Sequence, residues 1–272
     1  MTTQNPIPAS TVVLMKITTD WPYKILLLKR SPHAKFLPSA HVFPGGRLEH
    51  SDHAIEPILR SDNHNCERFE RCSTIDLSRV LHHLAGGIRE TLEEAAISIL
   101  RIKTKYGASS LPAHELSALL ADPQQYQEQL RPALDNIWPI SWWITPSGET
   151  RRFDTWFFLA LVETDQEAKT TGSTPSDQEN VERLWISPQE ALRSYNDGHI
   201  FLAPPTRTVI ERLANTSSLE DFLSFVDKPL RPIRPFFIES PASEKTLVLP
   251  GDPLHPEETP SRLPLSTSYK FP

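Results

Sequence analysis

Cysteine, surplus positive charge and long apolar runs are all scarce in this chain of 272 residues. Cysteine occurs only as Cys66 and Cys72. Two are too few for a secreted disulfide scaffold, and no further ligands stand at finger-like spacing to complete a zinc site. Free thiols are expected, with one local disulfide as the alternative. No segment approaches the roughly 18 apolar residues of a membrane span, and the polar first ten residues lack the charged-then-apolar order of a secretory signal. The expectation is a cytoplasmic chain with no membrane partner. The 28 Lys and Arg against 34 Asp and Glu leave a net charge of −6, so no basic field exists to hold a nucleic-acid polymer. Anionic small molecules stay possible, because local Arg or Lys, or a bound metal, supplies the charge that the global balance lacks. What is present is an ordinary globular composition, 38% hydrophobic. A chain of this length buries a full core as one enlarged domain or a domain with appendages. A monomer or a homodimer is expected.

Along the chain, residues 11–17 and 23–29 read as strands joined by a turn at Thr18-Thr19-Asp20-Trp21-Pro22, and Val42-Phe43 as a third strand ended by Pro44-Gly45-Gly46. Residues 53 to about 74 are polar and irregular. Ile75, Leu77, Val80, Leu81, Leu84, Ile88, Leu92 and Ala95 then recur at helical intervals. Gly86-Gly87 is expected to interrupt this stretch. Short helices broken at Pro123, strands at 140–144, 155–162 and 181–186, and helices at 189–195, 205–213 and 219–226 follow. Ten prolines in the last 45 residues exclude long regular structure there and suggest an extended tail, wrapped on the domain or partly loose. The expected division is a domain over residues 1–228 and a Pro-rich extension over 229–272.

The chemistry concentrates in Arg89-Glu90-Thr91-Leu92-Glu93-Glu94. On a helix, positions i, i+3 and i+4 share one face, so Glu90, Glu93 and Glu94 converge. Four residues after Glu90 comes Glu94 and four after that Ser98, so no compensating base follows one turn later. Crowded carboxylates of this kind suit hard divalent ions, which bind oxygen and keep positions open for water and phosphate. A solvated acidic face is the bland alternative. Upstream, glycine at Gly45 and Gly46 lets backbone groups approach a metal or phosphate without a Cβ in the way.

The segment Phe36-Leu37-Pro38-Ser39-Ala40-His41-Val42-Phe43-Pro44-Gly45-Gly46, with Asp52 and the run from Arg89 to Ile97, resembles the two halves of the Nudix box, G-x5-E-x7-R-E-U-x-E-E-x-G-U with U aliphatic. Asp52 stands where the pattern has Glu, Thr91 where an aliphatic residue is usual, and Ala96 where glycine is usual. Thirty-six residues, not seven, separate Asp52 from Arg89, an excess of 29. This insertion, together with the late Leu249-Pro250-Gly251-Asp252-Pro253, resembles the Nudix branch that includes the mammalian peroxisomal acyl-CoA diphosphatase. The resemblance covers most of residues 10–255. It implies an α/β fold, an α/β/α sandwich with a mixed central sheet, a helical insertion and the Pro-rich C-terminal extension. The terminal Tyr269-Lys270-Phe271-Pro272 is not a Ser-Lys-Leu type address, so the peroxisome is not carried over.

The resemblance also implies roles. Glu93 and Glu94 match paired ligands for Mg²⁺ or Mn²⁺, Glu90 a further ligand or the base that activates water, and Gly45 a carbonyl ligand. Arg89 orients Glu90, or pairs with it without catalysis. Glu179 matches a distal acidic ligand, with a solvated loop glutamate as the alternative. Asp52 is expected to help fix the loop before the helix. Arg30, Arg47, Arg151 and Arg152 are candidate phosphate partners, with surface solubility as the alternative, and Trp142, Trp143, Trp156 and Phe157 are read as core before base-stacking. His41, His82 and His83 carry no assignment. The substrate implied is CoA or acyl-CoA. The alternatives are another nucleoside diphosphate such as a dinucleotide or nucleotide sugar, or a ligand-binding Nudix module without turnover. Two further expectations concern shape. The helix should run past Ala96 to about Leu100 for want of a glycine cap, and residues 53–80 should wall the substrate's non-scissile end.

Overall fold

The computed structural model describes residues 5–16, 18, 23–72, 75–105, 107–126, 130–162, 180–226, 229–239, 245–257 and 266–270. Its first two strands show why the opening apolar runs are continuous. β1 (Ile7–Lys16) and β2 (Lys24–Arg30) pair antiparallel with Met15 opposite Ile25. Val12, Leu14, Leu26 and Leu28 point to one buried face, and Val13, Met15, Ile25 and Leu27 to the other. A strand covered on both sides loses its polar alternation.

β3 (His41–Val42) pairs with β2, and β4 (Gly45–Arg47) pairs with β1, so the Pro-Gly-Gly segment opens a strand of its own and does not merely end one. A 3-10 turn (His50–Ile55), α1 (Glu56–Arg60), α2 (Asn63–Arg71) and α3 (Leu77–Ala95) follow. Next come β5 (Arg101–Thr104), β6 (Gly107–Ser110), α4 (Ala113–Ala121), α5 (Pro123–Tyr126) and β7 (Pro132–Ala133), the three strands forming a small separate sheet that the sequence pattern did not suggest. The remaining elements are β8 (Ile137–Ile144), β9 (Phe153–Val162), β10 (Asn180–Ile186), α6 (Pro188–Asn196), α7 (Pro204–Ala214), α8 (Leu219–Val226), β11 (Phe236–Glu239), β12 (Lys245–Val248) and β13 (Ser268–Lys270).

The main sheet runs β10-β2-β1-β9-β8, with β3 beside β2 and β4 beside β1. All its pairs are antiparallel except β1 with β9, which are parallel from Ile7↔Phe153 to Lys16↔Val162. One face packs on α3 and the helices before it. The other packs on residues of α6, α7 and α8, together with Leu247, Leu249 and Tyr269 of the C-terminal segment. The result is a mixed sheet between helical layers. Trp142, Trp143 and Trp156 lie in this core. Among the described residues no helix is long and apolar enough to cross a membrane.

Three expectations are corrected here. The 3-10 turn and α1–α2 make residues 50–71 largely helical, not irregular, and Ile55, Ile58, Leu59, Cys66, Phe69 and Cys72 are buried with Leu77, Leu81 and Leu84. Neither cysteine is in a disulfide, and burial pushes the Cys66 thiol up to about 11. Asp62 fastens the insertion, accepting from Lys103 Nζ at 2.6 Å and the Leu134 amide at 2.8 Å.

Second, α3 is unbroken through Gly86 and Gly87. A Cβ on Gly87 would stand 2.8 Å from Ser10 Oγ and 2.9 Å from Val12 Cγ2. The glycine is needed where the helix lies against β1, and that contact outweighs a propensity cost of about 1 kcal/mol per glycine. Third, the helix stops at Ala95. Ala96 takes the left-handed conformation (φ 49°, ψ 32°), and its amide donates to Leu92 O at 2.8 Å. The alanine therefore accepts the cap geometry usually given to glycine, at a cost of about 1–2 kcal/mol.

Candidate active site

Arg89 organises the site. Its side chain is only 9% exposed, and all five guanidinium donors are used. Nε donates to Asp52 Oδ1 at 2.8 Å and Nη2 to Asp52 Oδ2 at 3.2 Å, a forked pair. Nη2 also donates to the Arg47 carbonyl at 2.9 Å. Nη1 donates to Glu90 Oε1 at 3.0 Å and Glu93 Oε2 at 2.9 Å. Burial alone would weaken the Arg89 charge, but the Asp52 hydrogen bond and the charges of Glu90, Asp52 and Glu93 outweigh it and raise its pKa above the ordinary arginine value.

Asp52 is the residue that sequence reasoning undervalued. It is buried, accepts the Glu49 amide at 2.8 Å, and holds Arg89 from the far side of the 36 residues that separate them. The signal was available, since an acid at the Nudix-box position keeps its charge when Asp replaces Glu. Nothing local to the sequence, however, joins it to Arg89.

The three glutamates differ in environment. Glu93 is 48% exposed, whereas Glu90 is 14% exposed and lies against Gly46. A Cβ on Gly46 would stand 2.3 Å from Glu90 Oε1, so only glycine leaves room for this carboxylate. Burial, resisted by Arg89, pushes Glu90 up to about 7. Glu94 is buried and accepts the Gly45 amide at 2.9 Å. It is thus the Gly45 N–H, not its carbonyl, that is seen to meet a carboxylate. Among the described residues, no three His, Cys, Asp or Glu side chains are gathered tightly enough to enclose an ion. Arg89 and the Gly45 amide balance the carboxylates instead. The donor set is nonetheless all oxygen, on one helix face beside a glycine backbone, which fits a hard divalent ion.

The cluster lines a cleft of about 760 Å³. Of the four arginines read as candidate phosphate partners, Arg30, Arg47 and Arg151 line it; Arg152 does not, and its Nε donates to Thr145 O at 3.1 Å. Lys35, Phe36 and Phe153 line it as well, and no local pattern had singled them out. Phe157, read as core, is buried and also lines the cleft. Glu179 lies outside the described residues. None of the described residues of 53–80 lines the cleft, so the insertion is core and not the expected wall. His83 is buried with Nδ1 at 2.8 Å from Ala9 O, and burial pushes it down to about 4. His82 stacks on His53, and His41 is buried outside the cleft lining.

A crystal structure of a Nudix hydrolase from Alicyclobacillus acidocaldarius superposes with a TM-score of 0.56 at 20% identity, covering 81% of this chain and 96% of that one, and shows the fold. The acyl-coenzyme A diphosphatases NUDT19 of Gallus gallus and Homo sapiens are 32% and 31% identical to it, over 87% of this chain and 74% and 73% of theirs. The family model for the NUDT19 Nudix domain matches residues 3–70 and 79–213. The match spans Asp52, Arg89 and the glutamates whose geometry defines the cleft, and on it the chain belongs to the NUDT19 Nudix domain family.

Proposed function

We infer that the protein hydrolyses the phosphoanhydride of acyl-CoA or CoA, giving the 4′-phosphopantetheine derivative and adenosine 3′,5′-bisphosphate. The observation that carries this is the Arg89-centred carboxylate cluster in a cleft also lined by Arg30, Lys35, Arg47 and Arg151, in a chain close to one third identical to acyl-CoA diphosphatases over most of its length.

Glu93 and Glu94, with the Gly45 backbone, are the donors for Mg²⁺ or Mn²⁺, and Glu90 joins that set or takes the proton of the attacking water. When bound, the ion supplies neutralisation of the diphosphate and activation of water. Arg89 sets the positions of Glu90 and Glu93, and Asp52 fixes Arg89. Arg30 and Arg47 face the phosphates. Water adds to one phosphorus, the bridging oxygen leaves with the other, and the proton passes to Glu90 or to solvent.

The test is incubation of the purified protein with acyl-CoA, CoA, ADP-ribose and a dinucleoside polyphosphate, with Mg²⁺ or Mn²⁺, and identification of products by mass spectrometry. Adenosine 3′,5′-bisphosphate from acyl-CoA is expected. Turnover of only the other diphosphates, or of none, would overturn the reading.

A further inference from the structure

Five large apolar side chains are exposed among the described residues, and of these only Phe36 lines the cleft, at 42% exposure. Its position is built. The 31–40 loop carries Leu37 and Ser39 at φ 48° and 61°, backbone that costs an L-residue about 1–2 kcal/mol each. It is closed by Ala34 N–H to Ser31 O (3.0 Å), His33 N–H to Ser31 Oγ (3.2 Å) and Ala40 N–H to Leu37 O (3.2 Å). So held, the loop crosses from β2 to β9 and sets the Phe36 ring 5.7 Å from that of Phe153, at 59°. The Arg151 guanidinium lies over both rings, 6.0 Å from Phe36 and 5.2 Å from Phe153. Among the described residues Arg151 has no carboxylate partner, and Lys35, next to Phe36 in the chain and also lining the cleft, is exposed and likewise without one.

The cleft therefore has two unlike ends. Phe153 and Phe157 both line it but are four residues apart on β9, about 13 Å along the strand. Val42 pairs with Leu28 and Leu202 bridges to His41, which sets the apolar Val42, Ala203 and Pro205 towards the Phe157 end. At the Phe153 end stand two rings and two cations. The register places Phe157 opposite Thr11 and Thr11 opposite Gly45, and Trp156 opposite Ser10 and Ser10 opposite Gly46. The carboxylates beside Gly45 and Gly46 thus lie level with Trp156 and Phe157, and Phe153 is three to four residues further along β9, roughly 10–13 Å, the length of a phosphate and a ribose.

Resting on the acyl-CoA reading, we propose that Phe36, Phe153 and Arg151 form the subsite for the 3′-phosphoadenosine half of the substrate. The purine stacks on the open face of Phe36, Arg151 receives the 3′-phosphate, and the neutral pantetheine and acyl arm runs to the Val42, Ala203 and Pro205 end. An acyl chain on the rings would have to desolvate Arg151 with nothing to pair it, whereas a phosphorylated purine uses both the π-face and the charge.

The experiment is calorimetric titration of wild type, Phe36→Ala, Phe36→Leu and Arg151→Gln with adenosine 3′,5′-bisphosphate, adenosine 5′-monophosphate and 4′-phosphopantetheine, each variant first checked by thermal melting. Both Phe36 variants should weaken the two adenosine ligands about tenfold and leave 4′-phosphopantetheine unchanged. Arg151→Gln should weaken the bisphosphate about tenfold and the monophosphate little. The proposal is overturned if wild type binds neither adenosine ligand, if Phe36→Leu binds like wild type, if all three ligands weaken together, or if Arg151→Gln affects both nucleotides equally. Acyl-CoA hydrolysis by the same preparations separates this from the reading beneath it. The expected affinities without turnover would remove that reading and leave the subsite; turnover with unaltered affinities would do the reverse.

Discussion

Arg89 and Arg151 line one cleft and use their charge in opposite ways. Arg89 is buried and has committed every donor to Asp52, Glu90, Glu93 and the Arg47 carbonyl. Arg151 rests on two aromatic rings and holds no described carboxylate. A guanidinium with all its bonds made cannot follow a ligand, so Arg89 belongs to the scaffold that fixes the carboxylates. One held only by ring faces can exchange that weak contact for a phosphate. Sequence reading had Arg89 orienting Glu90 and Arg151 among the candidate phosphate partners; burial and partners show how differently each charge is held.

The contrast breaks most directly at Arg89→Ala. With Asp52 left buried and unpaired, folding stability should fall by about 3–5 kcal/mol in chemical denaturation and hydrolysis should vanish. Arg89→Lys should also lose activity, since one ammonium cannot replace the fork. Next, Glu93→Gln should cost at least about a hundredfold in kcat, the scale of removing one preorganised charge, yet leave stability within about 0.5 kcal/mol because the side chain is half exposed. Activity within a few-fold of wild type would mean Glu93 is not a ligand. Ala96→Gly should raise stability by about 1 kcal/mol by relieving the left-handed alanine; a lower melting temperature would show the cap carries no strain. The smallest effect is expected for Arg151→Ala, within about 0.5 kcal/mol of wild-type stability. A loss like that of Arg89→Ala would erase the distinction.

Some of this was legible in the sequence for a physical reason. Glu90, Glu93 and Glu94 share a face because helix geometry fixes it, and the apolar period from Leu77 to Ala95 marks the helix that presents them. Gly86 and Gly87 misled because glycine's local preference speaks against a helix, while the contact that requires it, Gly87 on Ser10 and Val12, joins residues far apart in the chain. The bend at Ala96 has the same character, since no alanine advertises a left-handed turn. Asp52 with Arg89, and Phe36 with Phe153, are pairings across 37 and 117 positions. Only the folded sheet brings them together.

The parallel ladder between β1 and β9 has a consequence for how the molecule comes into being. Each of its ten residue pairs joins positions 146 apart, so β1 must wait for Val162 before its long partner is complete. Until then, among the described residues, β1 is paired in the short ladders to β2 and β4 alone, and the apolar face that α6, α7 and α8 later cover stands open during synthesis. Separations of this kind slow folding and prolong exposure of sticky surface. The cleft is assembled by the same event, because Arg89 arrives with the first half of the chain and Arg151 with the second. A nascent chain released before that point would carry the carboxylates, Lys35 and Phe36, but neither Arg151 nor Phe153.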